Sequence, residues 1–147
     1  FCLVLRDMNN EDIQYVAVKA LIADKDNRIL LLKQSDNTIS GDNKYHPPGG
    51  IIELGESVES ALHREIVEEI GVNANIVRLV NIGEWTAKRN NQTMHFIGIF
   101  YLCTIDDYEL KIQQSEASSA LWVSLDNIDG YEVLEPSKRI IKEFLAQ

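Results

Sequence analysis

Glu65, Glu68 and Glu69 fall within the nine residues "REIVEEIGV" (64–72), three acids at one-turn spacing in a segment of helical pattern with only Arg64 beside them. Like charges three or four positions apart on a helix repel by a few tenths of a kcal/mol per pair. On a wheel of about 100° per residue, with Glu65 at zero, Glu69 lies near 40° and Glu68 near −60°. Val58, Ala61, Leu62 and Ile66 then lie near 20°, −40°, 60° and 100°, so the carboxylates share the side that carries the apolar residues. A solvated acidic face would lie opposite Leu62 and Ile66. Acids at the rim of a core are costly unless something neutralises them.

The charge count points the same way. Glu53, Glu56, Glu59, Glu65, Glu68 and Glu69 face one arginine, a local balance of −5. Arg64 can pair with one of them, Glu56 being a candidate, and the others call for a cation from outside. Clustered carboxylates without His or Cys suit a hard divalent ion, Mg²⁺ or Mn²⁺, better than Zn²⁺.

The elements that must position these acids follow from local pattern. Ser57 is a candidate N-cap, Glu59 sits favourably in the first turn, and Gly71 is a suitable stop, which predicts a helix over 58–70. "HPPGG" (46–50) precedes it and excludes helix there. The apolar runs 15–23 and 28–34, separated by "DKDN", predict a hairpin. Residues 35–45 read as a polar surface loop. Strands are expected over 74–85, 93–105 and 120–125, with polar 87–92 joining the first two, and a final helix over 136–146 that begins with Pro136. Strands, a helix, more strands and a last helix predict an α+β fold with a mixed sheet and helices on its faces, rather than a repeating βαβ chain.

Composition sets the wider limits. The chain has 147 residues, 45% of them apolar and 25% charged, which predicts one globular domain over 1–147. A net charge of −9 makes nucleic acid or an anionic membrane an unfavourable main partner, since both need a basic patch. No apolar run approaches the roughly 18 residues of a membrane helix. Cys2 and Cys103 match no metal spacing; two reduced thiols in a cytoplasmic protein are the expectation, with a disulfide as the alternative.

The stretch "GIIELGESVESALHREIVEEIGV", Gly50 to Val72, resembles the Nudix box: Gly, five residues, Glu, seven residues, Arg-Glu, an aliphatic residue, any residue, Glu-Glu, any residue, Gly, an aliphatic residue. Gly50, Glu56, Arg64, Glu65, Ile66, Glu68, Glu69, Gly71 and Val72 all fit, nine specified positions over 23 residues. "PPGG" is similar to the family's Pro-Gly-Gly entry, although His46 stands where an aromatic residue is common. The resemblance implies a Nudix α/β/α sandwich with the box as loop–helix–loop. It also implies Mg²⁺-dependent hydrolysis of a nucleoside diphosphate linked to another group X. It assigns Glu65, Glu68 and Glu69 to divalent ions, with the Gly50 carbonyl as a further ligand, and Glu56 to pairing with Arg64. The general base is left open between Glu68 and Glu116, the latter in "QQSEASSALWV" (113–123).

Around this centre, Lys33 is the candidate phosphate contact, with Lys44, Lys88 and Arg89 weaker ones. Trp85, Phe96, Tyr101 and Trp122 sit in strand runs and are expected in the core rather than on a nucleobase. His46, His63 and His95 are expected to be structural or exposed. The expected partner is a small nucleotide, a nucleoside triphosphate by default, because the window 88–90 lacks the hallmarks of the subfamilies acting on ADP-ribose or dinucleoside polyphosphates. A homodimer is the general expectation for a soluble domain of this size. Two alternatives remain: a Nudix-fold module that binds a nucleotide without cleaving it, and an enzyme that trims the 5′ end of RNA.

Overall fold

A computed structural model describes residues 12–35, 43–115 and 117–147. In chain order the elements are β1 (Asp12–Ile22), β2 (Ile29–Gln34), β3 (Tyr45–His46), β4 (Gly49–Ile51), α1 (Val58–Ile70), β5 (Ala74–Arg89), β6 (Gln92–Ile105), β7 (Ala117–Val123), a 3₁₀ turn (Ile128–Gly130) and α2 (Ser137–Leu145). Two sheets form, one in the order β4-β1-β6-β5 and one in the order β3-β2-β7. The first is mixed: β1 runs parallel to β6, whereas β4 on β1 and β5 on β6 are antiparallel.

Alternation along the strands divides the interior in two. Val18, Ala20, Ile22, Leu30 and Leu32 pack with Ala61, Leu62, Ile66 and Ile70 of α1. Leu21, Ile29, Leu31 and Phe100 pack with Ile140, Ile141 and Leu145 of α2. A helix therefore covers each face, the expected α/β/α sandwich. Full burial of one such Leu or Ile contributes about 1.5–3 kcal/mol.

The helix over 58–70 forms where its caps predicted. The Ser57 side chain accepts from the Ser60 N–H at 3.1 Å. Gly71 adopts the left-handed conformation at φ 70°, its N–H donating to Val67 O at 3.0 Å. The long β5–β6 ribbon turns on Asn90 and Asn91, both at positive φ, with Arg89 paired to Gln92. Asn tolerates that conformation, so the two strands run up to the turn and extend into the polar residues 87–92 expected to join them.

The hairpin expectation is corrected. β1 and β2 share one bridge, Ala23 to Ile29, and then diverge into different sheets. The turn chemistry between them is real: Asp24 accepts from the Asp26 and Arg28 N–H groups and from the Arg28 guanidinium. β1 is already flanked by β4 and β6, which leaves no edge for β2 to occupy. Part of the loop over 35–45 lies outside the described residues, and its end, Tyr45–His46, is the short strand β3.

Candidate active site

Gly49 and Gly50 bring the backbone against the acidic turn of α1. β4 lies on β1 with Gly50 opposite Val18 and Gly49 opposite Lys19. A Cβ at Gly50 would sit 2.4–2.6 Å from the carboxylate atoms of Glu65, so a side chain here would displace that carboxylate. Gly49 has φ 145°, and a Cβ there would lie 2.0 Å from Val18 O. Its N–H donates to Glu69 Oε1 at 3.1 Å. The two glycines thus meet two of the three glutamates, which explains why one stands just before the box and the other at its first position.

Arg64 gathers the remaining acids. Its Nε donates to Glu56 Oε1 at 2.7 Å and Nη2 to Glu56 Oε2 at 2.9 Å, a bidentate pair. Nη2 also donates to Ile51 O at 3.2 Å, which ties the helix to the end of β4. Nη1 reaches Glu65 Oε1 at 2.8 Å and Glu68 Oε2 at 3.3 Å. This guanidinium holds the Glu56 carboxyl down at about 2, well below the usual range. The same contacts raise the pKa of Arg64 itself. For Glu65 the balance is opposite: burial raises its pKa despite Arg64, and the charge of Glu68 adds to the rise.

The helical phase places the acids largely as the wheel predicted. Glu69 is buried at 4% exposure, the Glu65 side chain is 14% exposed, and Glu68 lies on the open flank at 53%. Among the described residues, no three acidic, His or Cys side chains are grouped tightly enough to enclose an ion. Glu65 and Glu68 turn toward Arg64, and Glu69 toward Gly49. A divalent ion would compete with that guanidinium for their oxygens.

The donor set nonetheless fits a hard cation. It is all oxygen, one carboxylate is half-buried with its charged form disfavoured, and the strand carrying the Gly50 carbonyl meets that carboxylate.

Lys19 was missed at the sequence level. It is half-buried in β1, where burial lowers its pKa and the charges of Glu69 and Glu65 oppose that shift. It is a second internal cation beside the acids. In the sequence it is one lysine in "YVAVKALIA"; only the pairing of β1 with β4 brings it to the box.

The other candidates divide. Lys33 lies with its ammonium 6.0 Å from the Tyr45 ring centre, and Tyr45 packs in the α2-side core. Glu116 lies outside the described residues, and so does Cys2. Cys103 is a buried free thiol, pushed up to about 12 by burial. His46 is buried, its Nδ1–H donating to Pro47 O at 2.9 Å. His63 is exposed on the far side of α1, and His95 contacts Glu84 and Gln14. Tyr101 and Trp122 border the α1-side core as expected. Phe96 is buried as expected, stacked between Tyr15 and a half-buried Trp85 that belongs to neither helix-covered cluster. Among the described residues, no helix is long and apolar enough to cross a membrane.

Comparison with known proteins decides the family. Residues 14–146 match the NUDIX domain model. The chain belongs to the Nudix hydrolases. It is 33% identical over 130 residues to an ADP-ribose pyrophosphatase of Methanocaldococcus jannaschii, an alignment covering 88% of this chain and 72% of that protein. It is 30% identical over 82 residues to an NAD-capped RNA hydrolase NudC of Mannheimia succiniciproducens, covering 56% of this chain but 28% of that relative. Among solved structures, a MutT protein of Methanosarcina mazei superposes with a TM-score of 0.76 at 26% identity, covering 92% of this chain and 96% of the other. The sandwich described above is thus the Nudix fold, and the chain is a Nudix enzyme.

Proposed function

We propose that this Nudix hydrolase cleaves the diphosphate linkage of a nucleoside diphosphate derivative, using divalent ions, Mg²⁺ first, held by Glu65, Glu68, Glu69 and the Gly50 carbonyl. The observation that carries the reading is the meeting of Gly50 with the half-buried Glu65 carboxylate, beside Glu69 bound to the Gly49 N–H. When bound, such an ion screens the phosphate charge and makes a water acidic near neutral pH.

The chain's own residues have distinct tasks. Arg64 and Glu56 lock the box helix to β4 and orient the metal-facing acids. Glu68, the most exposed of the three and with an oxygen 3.3 Å from Arg64 Nη1, is positioned to accept the proton of an attacking water. Glu116 is the second candidate for that step. Lys33, its ammonium 6.0 Å from the Tyr45 ring centre, is the candidate contact to the substrate phosphates.

The ADP-ribose pyrophosphatase relative makes nucleoside diphosphate sugars the first substrates to test, with nucleoside triphosphates beside them. The experiment is turnover of that panel with and without Mg²⁺ by the wild type, Glu68→Gln and Glu69→Gln. The expected result is Mg²⁺-dependent turnover that falls by roughly 10²–10⁴-fold when the base is removed. Unchanged turnover in both variants, or turnover indifferent to chelator, overturns the assignment.

A further inference from the structure

The two helices end differently. A helix leaves its last carbonyls without donors of its own. At the end of α2 the donors are local: the Ala146 N–H donates to Lys142 O at 3.0 Å and the Gln147 N–H to Phe144 O at 3.3 Å. At the end of α1, Gly71 serves Val67 O, and the next donors come from the loop between β6 and β7. The Lys111 N–H donates to Ile70 O at 2.8 Å and the Gln113 N–H to Glu69 O at 2.9 Å. Gly71 makes this approach possible, since a Cβ there would lie 2.9 Å from the Lys111 Cβ.

The loop is itself held in place. Leu110 and Ile112 pack against the α1-side core, while Lys111 and Gln113 are exposed, so these two reach α1 through the main chain. Downstream, the Ala117 N–H donates to Gln113 O at 2.9 Å, and Ala117 is fully buried at the start of β7. Ser115 O accepts from the hydroxyl of Ser35, just past the end of β2, at 3.1 Å. Gln113 therefore links the buried start of β7 to the main chain of Glu69. The Glu69 carboxylate accepts from the Gly49 N–H of β4 at 3.1 Å. This one acid is tied to the first sheet through its side chain and to the second through its backbone.

We propose that Lys111 and Gln113 are positioning residues for the metal-facing acids: residues 106–115 form a strap whose two N–H groups set the last turn of α1. The assignment rests on Glu69 holding a divalent ion. Glu68 and Glu69 lie in the final turn of a helix that stops at Ile70, and helix ends fray. Mg²⁺ demands near-octahedral geometry and tolerates little wandering of its ligands. The strap supplies the missing donors at that place, so the carboxylates hold one position before an ion arrives. The last turn of α2 has no such task, and local donors suffice there.

The test is Mn²⁺ binding, read from the paramagnetic resonance signal of the free ion, by the wild type, Gln113→Pro, Gln113→Ala and Ala146→Pro. Proline removes the N–H, and alanine keeps it. Gln113→Pro should weaken Mn²⁺ roughly 10- to 100-fold, the usual cost of losing a group that orients a ligand. Gln113→Ala should stay within about twofold of the wild type, as exposed substitutions do. Ala146→Pro, which removes the corresponding donor from α2, should also leave the affinity unmoved. Wild-type affinity in Gln113→Pro, or an equal loss in either of the other variants, overturns the proposal. A wild type that binds no Mn²⁺ overturns the metal reading and the strap with it, whereas a binding wild type beside an indifferent Gln113→Pro overturns the strap alone. Should Gln113→Pro fail to fold, amide exchange of the wild type decides the matter, because an ion that depends on the strap must also hold it closed. Mg²⁺ should slow exchange of the Lys111 and Gln113 N–H groups several-fold more than that of Ala146; equal slowing, or none, overturns the proposal.

Discussion

The two helices that cover the sheet handle charge in opposite ways. On α2, the cations are matched on the surface: Lys142 Nζ meets Asp129 at 2.8 Å, Lys138 meets the same carboxylate at 3.4 Å, and Arg139 meets Glu143 at 3.3 Å. On α1, one guanidinium serves Glu56, Glu65 and Glu68, while Glu69 is buried against the Gly49 N–H. A helix selected for stability alone would resemble α2. An excess of half-buried acid is costly to maintain unless a cation offsets it, which is what the proposed role of α1 supplies.

The largest break in that contrast is expected from Gly50→Ala. The added methyl would lie 2.4 Å from Glu65 Cδ, so the carboxylate or β4 must move. Displacement by about 1 Å at a reacting centre costs on the order of 10²-fold, and kcat should fall at least that far while the fold persists. Gly130→Ala is the matched control on the α2 side: nothing lies within 4 Å of its Cβ position. Its steady-state kinetics should be those of the wild type. Equal effects of the two substitutions would mean that the meeting of Gly50 and Glu65 has no functional role.

Next comes Arg64→Lys. An ammonium cannot reproduce the bidentate pair to Glu56 and also reach Ile51 O, Glu65 and Glu68. Loss of such an orienting group typically costs 10- to 100-fold in activity or metal affinity. The equivalent change on α2, Arg139→Lys, loosens one exposed pair to Glu143 and should leave kcat/KM and the apparent Mg²⁺ affinity unmoved.

The contrast was only half legible in the sequence. Phase and count alone put Glu65 and Glu69 toward the core and showed that Arg64 could not neutralise every acid, because helical geometry is fixed by 3.6 residues per turn. The caps at Ser57 and Gly71 were equally readable, being local. What failed was non-local. Nothing in "YVAVKALIA" says that Lys19 lies opposite Gly49, and nothing in the Asp24–Arg28 turn says that its two strands part into different sheets. Trp85 reads as core yet is half-buried, because strand pattern reports burial on a face, not which helix covers that face or where it stops.

Acid should also separate the two sides. His46 is pushed down to about 3, mainly by burial and then by the charge of Lys19. Glu56 is held at about 2 by Arg64. In both cases the folded-state value lies below the unfolded one, so the unfolded chain binds more protons in the window between them. Stability from His46 is therefore complete above about pH 6.5 and is lost as pH falls toward 3; that from Glu56 is complete above about 4.5 and is lost toward 2. Thermal melts from pH 7 to 3 should show a falling midpoint that His46→Gln flattens in the upper part of this range. A wild-type midpoint constant between pH 6.5 and 4 would contradict the burial of a neutral imidazole.

Asp129→Asn should have the smallest effect, and it bears on the same comparison. Asp129 holds both Lys138 and Lys142, and those contacts lower its pKa, yet its side chain is 63% exposed. Water screens such pairs, and what tethers α2 is the burial of Ile140, Ile141 and Leu145. The neutral variant should melt within a few degrees of the wild type and turn over substrate at the same rate. A drop in activity comparable to that of Arg64→Lys would show that the α2 side is coupled to the acidic turn, and that the division of labour between the two helices is wrong.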